Sequence, residues 1–376
     1  MAVKETLSEL VAIDSVSSHS NVEIASYLKM RCEAMGLKVK RFPYMDEKGV
    51  EKINLVALNG TDFSDSTEVE LALVGHTDTV PYDPKWTDAT TLIEREGKLF
   101  ARGACDTKGF IAAALSAVER IDPKSLLRPL ALIFTADEEV GLIGAKRLAE
   151  ARPLRARYSI VGEPTSLQPM RAGKGYCLAE VIVRGREAHS AYPALGASAI
   201  SRAARLIVRV EKIAEELREE QHSSFDPPFT TLNVGLIRGG TAKNVIAGEC
   251  CLTLEWRPIP GQGSERLLEL LWSAIADERK LDPDFECVVD ASRTDSGFEI
   301  PPTSPLVNLL ERLTGKQAGT VAFGTEAAQM IELGADSVVL GPGNIRVAHK
   351  TDEYVPTDEL QRCVDTLTTA IDSICR

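Results

Sequence analysis

Ala72-Leu73-Val74-Gly75-His76-Thr77-Asp78-Thr79-Val80 is the stretch from which the fold can be read. The apolar run Leu71 to Val74 has the composition of a short buried strand, and Gly75 ends it by delivering His76 and then Asp78 to its carboxyl end. Open α/β sheets keep their sites there. His76 and Asp78 are two residues apart, so an extended backbone sends both side chains from one face, a geometry suited to a metal-ligating imidazole with a carboxylate beside it. Taken alone, a histidine after a strand is more often a structural residue, so a metal has to be argued from the rest of the chain.

Outward from this stretch the same pattern repeats. Ala101 to Phe110 leads into the Ala-rich run Ile111 to Val118, which reads as a buried helix and places Asp106 just before a helix N-terminus, where an N-terminal cap is the plain alternative. Leu130 to Thr135 is an apolar strand ending in Asp137-Glu138-Glu139, and Tyr158 to Val161 is another ending in Gly162-Glu163-Pro164. Strand, acid and helix recur, the signature of a sheet flanked by helices. Residues 1–13 and 21–35 read as amphipathic helices, the second closed by Gly36; 37–43 and 53–58 read as strands, and 91–100 as a hairpin turning at Glu96 and Gly97.

After about residue 173 the order becomes strand (179–183), helix (198–217), two strands (231–237 and 249–256), helix (265–277) and strand (285–289), the sequence of a ferredoxin-like split βαβ. From about residue 292 the first pattern resumes, with a helix at 304–314, a strand at 337–340, Gly341-Pro342-Gly343 and a helix from Thr357. The expectation is an α/β catalytic domain made of 1–173 and 292–376, interrupted by an α+β domain over 174–291.

A chain of 376 residues exceeds the usual size of one core, which agrees with two domains. Its 43 Lys and Arg against 55 Asp and Glu give a formal charge of −12, which argues against nucleic acid and anionic membranes as partners. The same charge mildly favours cationic small substrates, though solubility accounts for it as well. Eight scattered cysteines without CxxC pairs read as reduced packing residues, and no apolar leader or run of about 18 apolar residues appears, so the expected compartment is the cytoplasm.

The polar residues at strand ends are His76, Asp78, Asp106, Glu138, Glu139, Glu163 and His349. Two imidazoles and three carboxylates from this group make a donor set for zinc, cobalt or manganese. The count suits a dinuclear site, with one bridging carboxylate and, for each metal, one histidine and one further acid. Adjacent glutamates cannot point the same way, so one of Glu138 and Glu139 can ligate while the other takes a proton from water and hands it to a leaving amine. A solvated acidic helix start is the bland alternative for that pair.

His76-Thr-Asp-Thr-Val-Pro81, Gly103-Ala-Cys-Asp-Thr-Lys-Gly-Phe110, Thr135-Ala-Asp-Glu-Glu139, Gly162-Glu-Pro-Thr-Ser-Leu-Gln-Pro169 and Gly341-Pro-Gly343 with Ala348-His-Lys-Thr-Asp-Glu-Tyr354 together resemble the M20 metallopeptidase family, in its acetylornithine deacetylase branch. The resemblance runs in order along nearly the whole chain and includes Gly185 to Pro193 and Trp256 to Pro260 of the inserted domain. It implies a zinc-exopeptidase-like α/β/α domain with an inserted lid and dimerisation domain, two divalent ions (Zn or Co, with Mn as a further option), and a homodimer. It implies that His76, Asp106 and Glu163 hold one metal and Asp106, Glu139 and His349 the other, with Asp106 bridging. Glu138 becomes the general base and acid, Asp78 the group that orients His76, and His189 an oxyanion donor reaching a neighbouring subunit's site. Arg257, Asn244, Gly341 and Gly343 fall where the family contacts substrate.

The implied reaction removes the acyl group of an N-acyl-L-amino acid, N2-acetyl-L-ornithine first, as in arginine biosynthesis. Succinyl-diaminopimelate desuccinylase, a general aminoacylase and an M20 carboxypeptidase are the alternatives. Three positions depart from the family pattern: Cys105 beside the bridging Asp, Thr107, and Lys350 after His349, the last a cation that disfavours a cationic side chain nearby. A metal-binding scaffold without catalysis and a Cys105 thiol hydrolase are readings from other classes; intact Glu138 and the lack of a nearby histidine speak against them.

Overall fold

Residues 2–60, 62–64 and 67–376 are described in a computed structural model, and the chain divides into two units. One comprises Met1–Arg171, Ile300–Gly319 and Thr325–Arg376; the other comprises Ala172–Glu299 and Thr320–Gly324.

In the first unit the strands Lys38–Met45, Glu51–Leu58, Leu130–Thr135, Glu68–His76, Arg155–Val161 and Asp336–Val339 lie side by side in that order. The first three are joined antiparallel. The last four run parallel, so their carboxyl ends share one edge of the sheet. Helices cover both faces, which is why Leu130–Thr135 is apolar and buried along its length. Leu55, Leu71, Leu73, Leu132, Ile160 and Val338 turn to one face and join Leu7, Ile24, Leu28, Phe110, Leu115 and Leu367 in a single core cluster. Those partners come from the helices Val3–Ala12, Val22–Ala34, Lys108–Arg120 and Thr357–Cys375. Each buried leucine contributes about 1.5–3 kcal/mol of hydrophobic stabilisation. Two shorter helices, Ile143–Ala151 and Ala327–Glu332, contact the strands outside that cluster.

The helix Lys108–Arg120 is buried from Lys108 through Val118. Its Phe110 ring lies against Gly162, where a Cβ would come within 2.1 Å of Phe110 Cδ1. A bare glycine therefore lets the turn carrying Glu163 close onto the helix that follows Asp106. The small hairpin forms as expected, with Ile93–Arg95 and Lys98–Phe100 turning through Glu96 and Gly97 in the left-handed region, at φ 51° and 71°.

The second unit holds an antiparallel sheet ordered Thr231–Gly239, Glu249–Arg257, Tyr176–Arg184, Glu286–Asp295. In chain order this is 2-3-1-4 with helices after the first and third strands, the split βαβ arrangement. Val181, Val183, Leu252, Leu254 and Trp256 pack on Leu206, Val210, Leu271 and Ile275 of the helices Ala199–Leu217 and Arg266–Leu281. Ser198 caps the first of these, its hydroxyl accepting the N–H of Ser201 at 3.3 Å. Among the described residues no helix is long and apolar enough to cross a membrane.

Candidate metal centre

Four parallel strands end at one edge, and the polar loops that follow them meet there. His76 closes Glu68–His76, Glu138 and Glu139 follow Leu130–Thr135, Glu163 follows Arg155–Val161, and His349 lies on the loop after Asp336–Val339. Asp106 stands between the two histidines: its Oδ1 is 3.1 Å from His76 Nε2, and its Oδ2 is 3.1 Å from His349 Nε2. The same His349 nitrogen is 3.1 Å from Glu139 Oε1. One ligand atom each from His76, Asp106 and Glu139 lie within 4.8 Å of one another. The helix after Asp106 starts beyond Thr107 and has no side-chain cap, so Asp106 serves the histidines rather than the helix end.

His76 is fully buried, and its Nδ1 lies 3.0 Å from the Asp78 carbonyl oxygen. A carbonyl only accepts, so Nδ1 carries a proton, and Nε2, turned to Asp106, is the nitrogen that would ligate an ion once its own proton is lost. The Asp78 carboxylate is farther from that ring, 3.7 Å from Nδ1. Asp78 thus orients His76 through its backbone, and its carboxylate is used elsewhere: it accepts the Ser17 hydroxyl at 2.7 Å and the N–H groups of Glu138 and Glu139.

The charge balance of the site calls for cations. Burial opposes the charged form of His76, but Asp106 and the surrounding carboxylates outweigh it and hold the ring well above its usual range. Hydrogen bonds to Asp106 and Glu139 raise His349 to about 10. Burial opposes ionisation of Asp106, yet the two imidazoles keep it below the usual carboxylate range. Burial raises Glu138 and Glu163 well above theirs, with Asp106 adding to the rise in both; burial raises Glu139 as well. Crowded anions that protonate for want of positive charge, with imidazoles turned toward them, are the donors that a divalent ion satisfies. The residues present fit such an ion.

Several supporting residues received no role from the sequence, Asp137 among them although it follows the apolar strand Leu130–Thr135. Asp137 is held in the left-handed region, at φ 56°, immediately before the two glutamates. Its carboxylate accepts from Lys52 Nζ at 2.7 Å and from the Tyr44 hydroxyl at 2.8 Å, and the Lys52 and Asp137 side chains are each 1% exposed. Lys52 also donates to the Ser17 carbonyl at 2.5 Å. Glu326 is wholly buried and accepts the Thr135 hydroxyl; burial pushes its carboxyl up to about 7. Arg102 and Glu353 form a buried pair beside Asp106. A lone lysine inside the apolar strand Glu51–Leu58 was the available signal for Lys52; Glu353 stood inside a quoted motif without a role.

The other expected site residues fall as follows. Gly341 packs against Glu163, where a Cβ would be 2.5 Å from the Glu163 carbonyl oxygen, and its N–H donates to the Thr165 hydroxyl. Gly343, at φ +81°, sits over Cys105, and its N–H donates to Glu359 at 2.8 Å. Both glycines, expected to meet substrate, thus use their N–H groups inside the first unit. Cys105 is buried, and burial raises its thiol well above the usual range, which opposes a thiolate nucleophile. Lys350 is exposed.

His189, Asn244 and Arg257 belong to the second unit. His189 is exposed, and its Nδ1 accepts the Ala191 N–H at 3.1 Å, which leaves the proton on Nε2. The exposed Asn244 accepts the Ser190 N–H through its carbonyl at 3.0 Å. Arg257 pairs with Glu255 at 2.7 Å, donates to the Ala322 carbonyl at 3.0 Å and lies 4.6 Å from the Tyr176 ring centroid.

Comparison with known proteins agrees with this architecture. The profile of peptidase family M20/M25/M40 matches residues 72–373. A protein of Myxococcus xanthus named acetylornithine deacetylase is 53% identical over 375 residues, covering 100% of this chain and 98% of that one. One of the same name from Klebsiella pneumoniae (strain 342) is 36% identical, covering 97% of this chain and 96% of its own length. Among solved structures, a tripeptidase from Staphylococcus aureus superposes with a TM-score of 0.79 at 25% identity, covering 100% of this chain and 98% of that chain. The chain belongs to peptidase family M20/M25/M40, a family of metal-dependent hydrolases.

Proposed function

We propose that this protein hydrolyses the amide of an N-acyl-L-amino acid, and that N2-acetyl-L-ornithine is its substrate, yielding L-ornithine and acetate. The observation that carries the reading is the placing of Asp106 at 3.1 Å from both His76 and His349, which supports a carboxylate that two ions would share. His76, Asp106 and Glu163 are assigned to one ion and Asp106, Glu139 and His349 to the other, with zinc or cobalt, or else manganese, as the metal. The two full-length relatives named acetylornithine deacetylase support the choice of substrate.

Bound divalent ions supply Lewis acidity, polarising the acyl carbonyl and lowering the pKa of water towards about 7. Glu138, raised by burial, takes the proton of the attacking water and passes it to the amine nitrogen as the C–N bond breaks. His189, with its proton on Nε2, is assigned as the donor to the developing oxyanion of a neighbouring subunit's site, which makes the working form a homodimer joined through the second unit. Arg257 and Asn244 are assigned to the polar groups of the substrate. Gly341 and Gly343 are assigned to shaping the wall beside Glu163 and Cys105. Eight free cysteines suit a reducing, cytoplasmic compartment.

The test is amine release from a panel of N-acetyl and N-succinyl amino acids and short peptides, using zinc- or cobalt-loaded protein with a chelated control and the Glu138→Ala variant. N2-acetyl-L-ornithine should be cleaved fastest, and both controls should be inactive. Preference for N-succinyl-diaminopimelate, for neutral acyl amino acids or for peptides would replace the substrate. Full turnover by Glu138→Ala would remove the assigned base.

A further inference from the structure

Glu353 is fully buried, four residues beyond His349 on the same loop. Its Oε1 accepts two consecutive backbone N–H groups, those of Cys105 and Asp106, each at 3.0 Å. Its Oε2 pairs with Arg102, itself 5% exposed. Arg102 in turn donates from Nη2 to the Pro81 carbonyl at 3.4 Å, and its guanidinium lies 5.4 Å from the Trp86 ring. The backbone repeats the connection, with the Ala101 N–H donating to the Glu353 carbonyl at 3.1 Å. One carboxylate therefore joins the loop that delivers Asp106, the loop that delivers His349 and, through Arg102, the segment that follows His76.

We propose that Glu353 is a positioning residue that sets the spacing of Asp106 and His349 and so governs the ion held by Asp106, Glu139 and His349 more than the ion held by His76, Asp106 and Glu163. The inference rests on the ligand assignment proposed above. The asymmetry follows from how the histidines are anchored. His76 is fully buried at the end of a central strand, whereas the His349 side chain is 49% exposed on a loop in the left-handed region, at φ 59°. Without the Glu353 carboxylate the His349 loop loses its side-chain tie to the Cys105 and Asp106 backbone and keeps only the Ala101 bond and the pairing of Tyr354–Pro356 with Lys98–Phe100, while His76 keeps its sheet pairing to Thr135. Groups that orient metal ligands typically change affinity by about 10- to 100-fold when removed.

The experiment compares Arg102→Met/Glu353→Gln with Arg102→Met/Glu353→Leu. Both lack the buried charge pair, but only the glutamine chain keeps an oxygen to accept from Cys105 and Asp106. Co(II) is titrated into metal-free protein and followed by calorimetry and visible absorption. The leucine chain should bind its weaker equivalent about 10- to 100-fold less tightly than the glutamine chain, with its tighter equivalent within about threefold. Equal affinities for both equivalents in the two chains, or equal weakening of both, would overturn the proposal. If the leucine chain does not fold, the glutamine chain decides: its amides at Cys105 and Asp106 must stay protected from hydrogen exchange and its weaker equivalent must stay within about tenfold of the unsubstituted protein, or the proposal fails. Leu310→Ala, a destabilising change in the same unit, should leave both equivalents in place. His349→Ala in the unsubstituted background must weaken the same equivalent as Arg102→Met/Glu353→Leu; if it does not, the ligand assignment has failed and the Glu353 proposal falls with it.

Discussion

The Asp78 carboxylate accepts the backbone N–H of Glu138 through Oδ1, at 3.1 Å, and that of Glu139 through Oδ2, at 3.3 Å. One acid thereby fixes the peptide that carries both the assigned base and an assigned ligand. Replacing it with alanine removes the acceptor of both backbone donors, at a cost of about 1–3 kcal/mol each where they are buried, and leaves the Ser17 hydroxyl only the Thr79 carbonyl. Asp78→Ala should therefore lose turnover by a larger factor than it loses bound metal. Parallel kcat measurements and metal analysis check this; a proportional fall in both would mean that Asp78 acts through metal binding alone.

Lys52 and Asp137 should behave as a coupled pair. Breaking a buried ion pair from one side costs about 3–5 kcal/mol, because the remaining charge has no partner. Lys52→Met should lower the unfolding free energy by about that amount in urea, and adding Asp137→Leu should recover part of the loss. Simple additivity of the two single changes would show that the pair is not coupled.

Gly341→Ala should damage the metal centre without touching a ligand side chain. The new Cβ would sit 2.5 Å from the Glu163 carbonyl oxygen, a backbone atom that cannot swing aside. Overpacking of this kind costs about 1–3 kcal/mol. The expected outcome is a lower melting temperature together with weaker metal binding, read by calorimetry. Wild-type affinity in a destabilised variant would separate the packing of Gly341 from the placing of Glu163.

Metal uptake should release protons at neutral pH. In the metal-free protein His349 is raised to about 10, so it is protonated at pH 7 and must lose that proton to ligate. Apparent metal affinity should accordingly rise with pH up to about 10. For the metal-free fold the sign is opposite. A histidine raised above its ordinary value of about 6.5 contributes stability that is complete below that pH and is lost as pH climbs through about 10. Calorimetric titrations in buffers of differing ionisation enthalpy report the released proton. A heat of binding independent of buffer would contradict the prediction.

The strand-end residues were legible because each follows an apolar run that only a buried strand explains: Leu71 to Val74 before His76, Leu130 to Thr135 before Glu138, Tyr158 to Val161 before Glu163. The order of strands and helices in the second unit was legible but its edge was not: the expected boundary between 291 and 292 falls inside the strand Glu286–Asp295. Residues whose value depends on register between distant segments were not legible either. Lys52 meets Asp137 across 85 positions and Ser17 meets Asp78 across 61, and no local periodicity encodes either contact. The family resemblance makes Asp78 the group that orients His76; the folded turn presents its carbonyl to the ring at 3.0 Å, with its carboxylate behind at 3.7 Å. For Gly341 the sequence marks a turn, while the close approach to Glu163 appears only once two loops are packed together.

The first unit is written in segments on either side of the second, so Asp106 and His349, which approach to 3.1 Å, are separated in the chain by the whole of the inserted fold. During synthesis the N-terminal segments emerge first. A growing polypeptide can display His76, Asp106 and Glu139 long before His349 exists to join them. Contacts of such long sequence separation are also slow to form. Completion of the candidate centre therefore waits on the C-terminal segment, however early the rest of the edge is laid down.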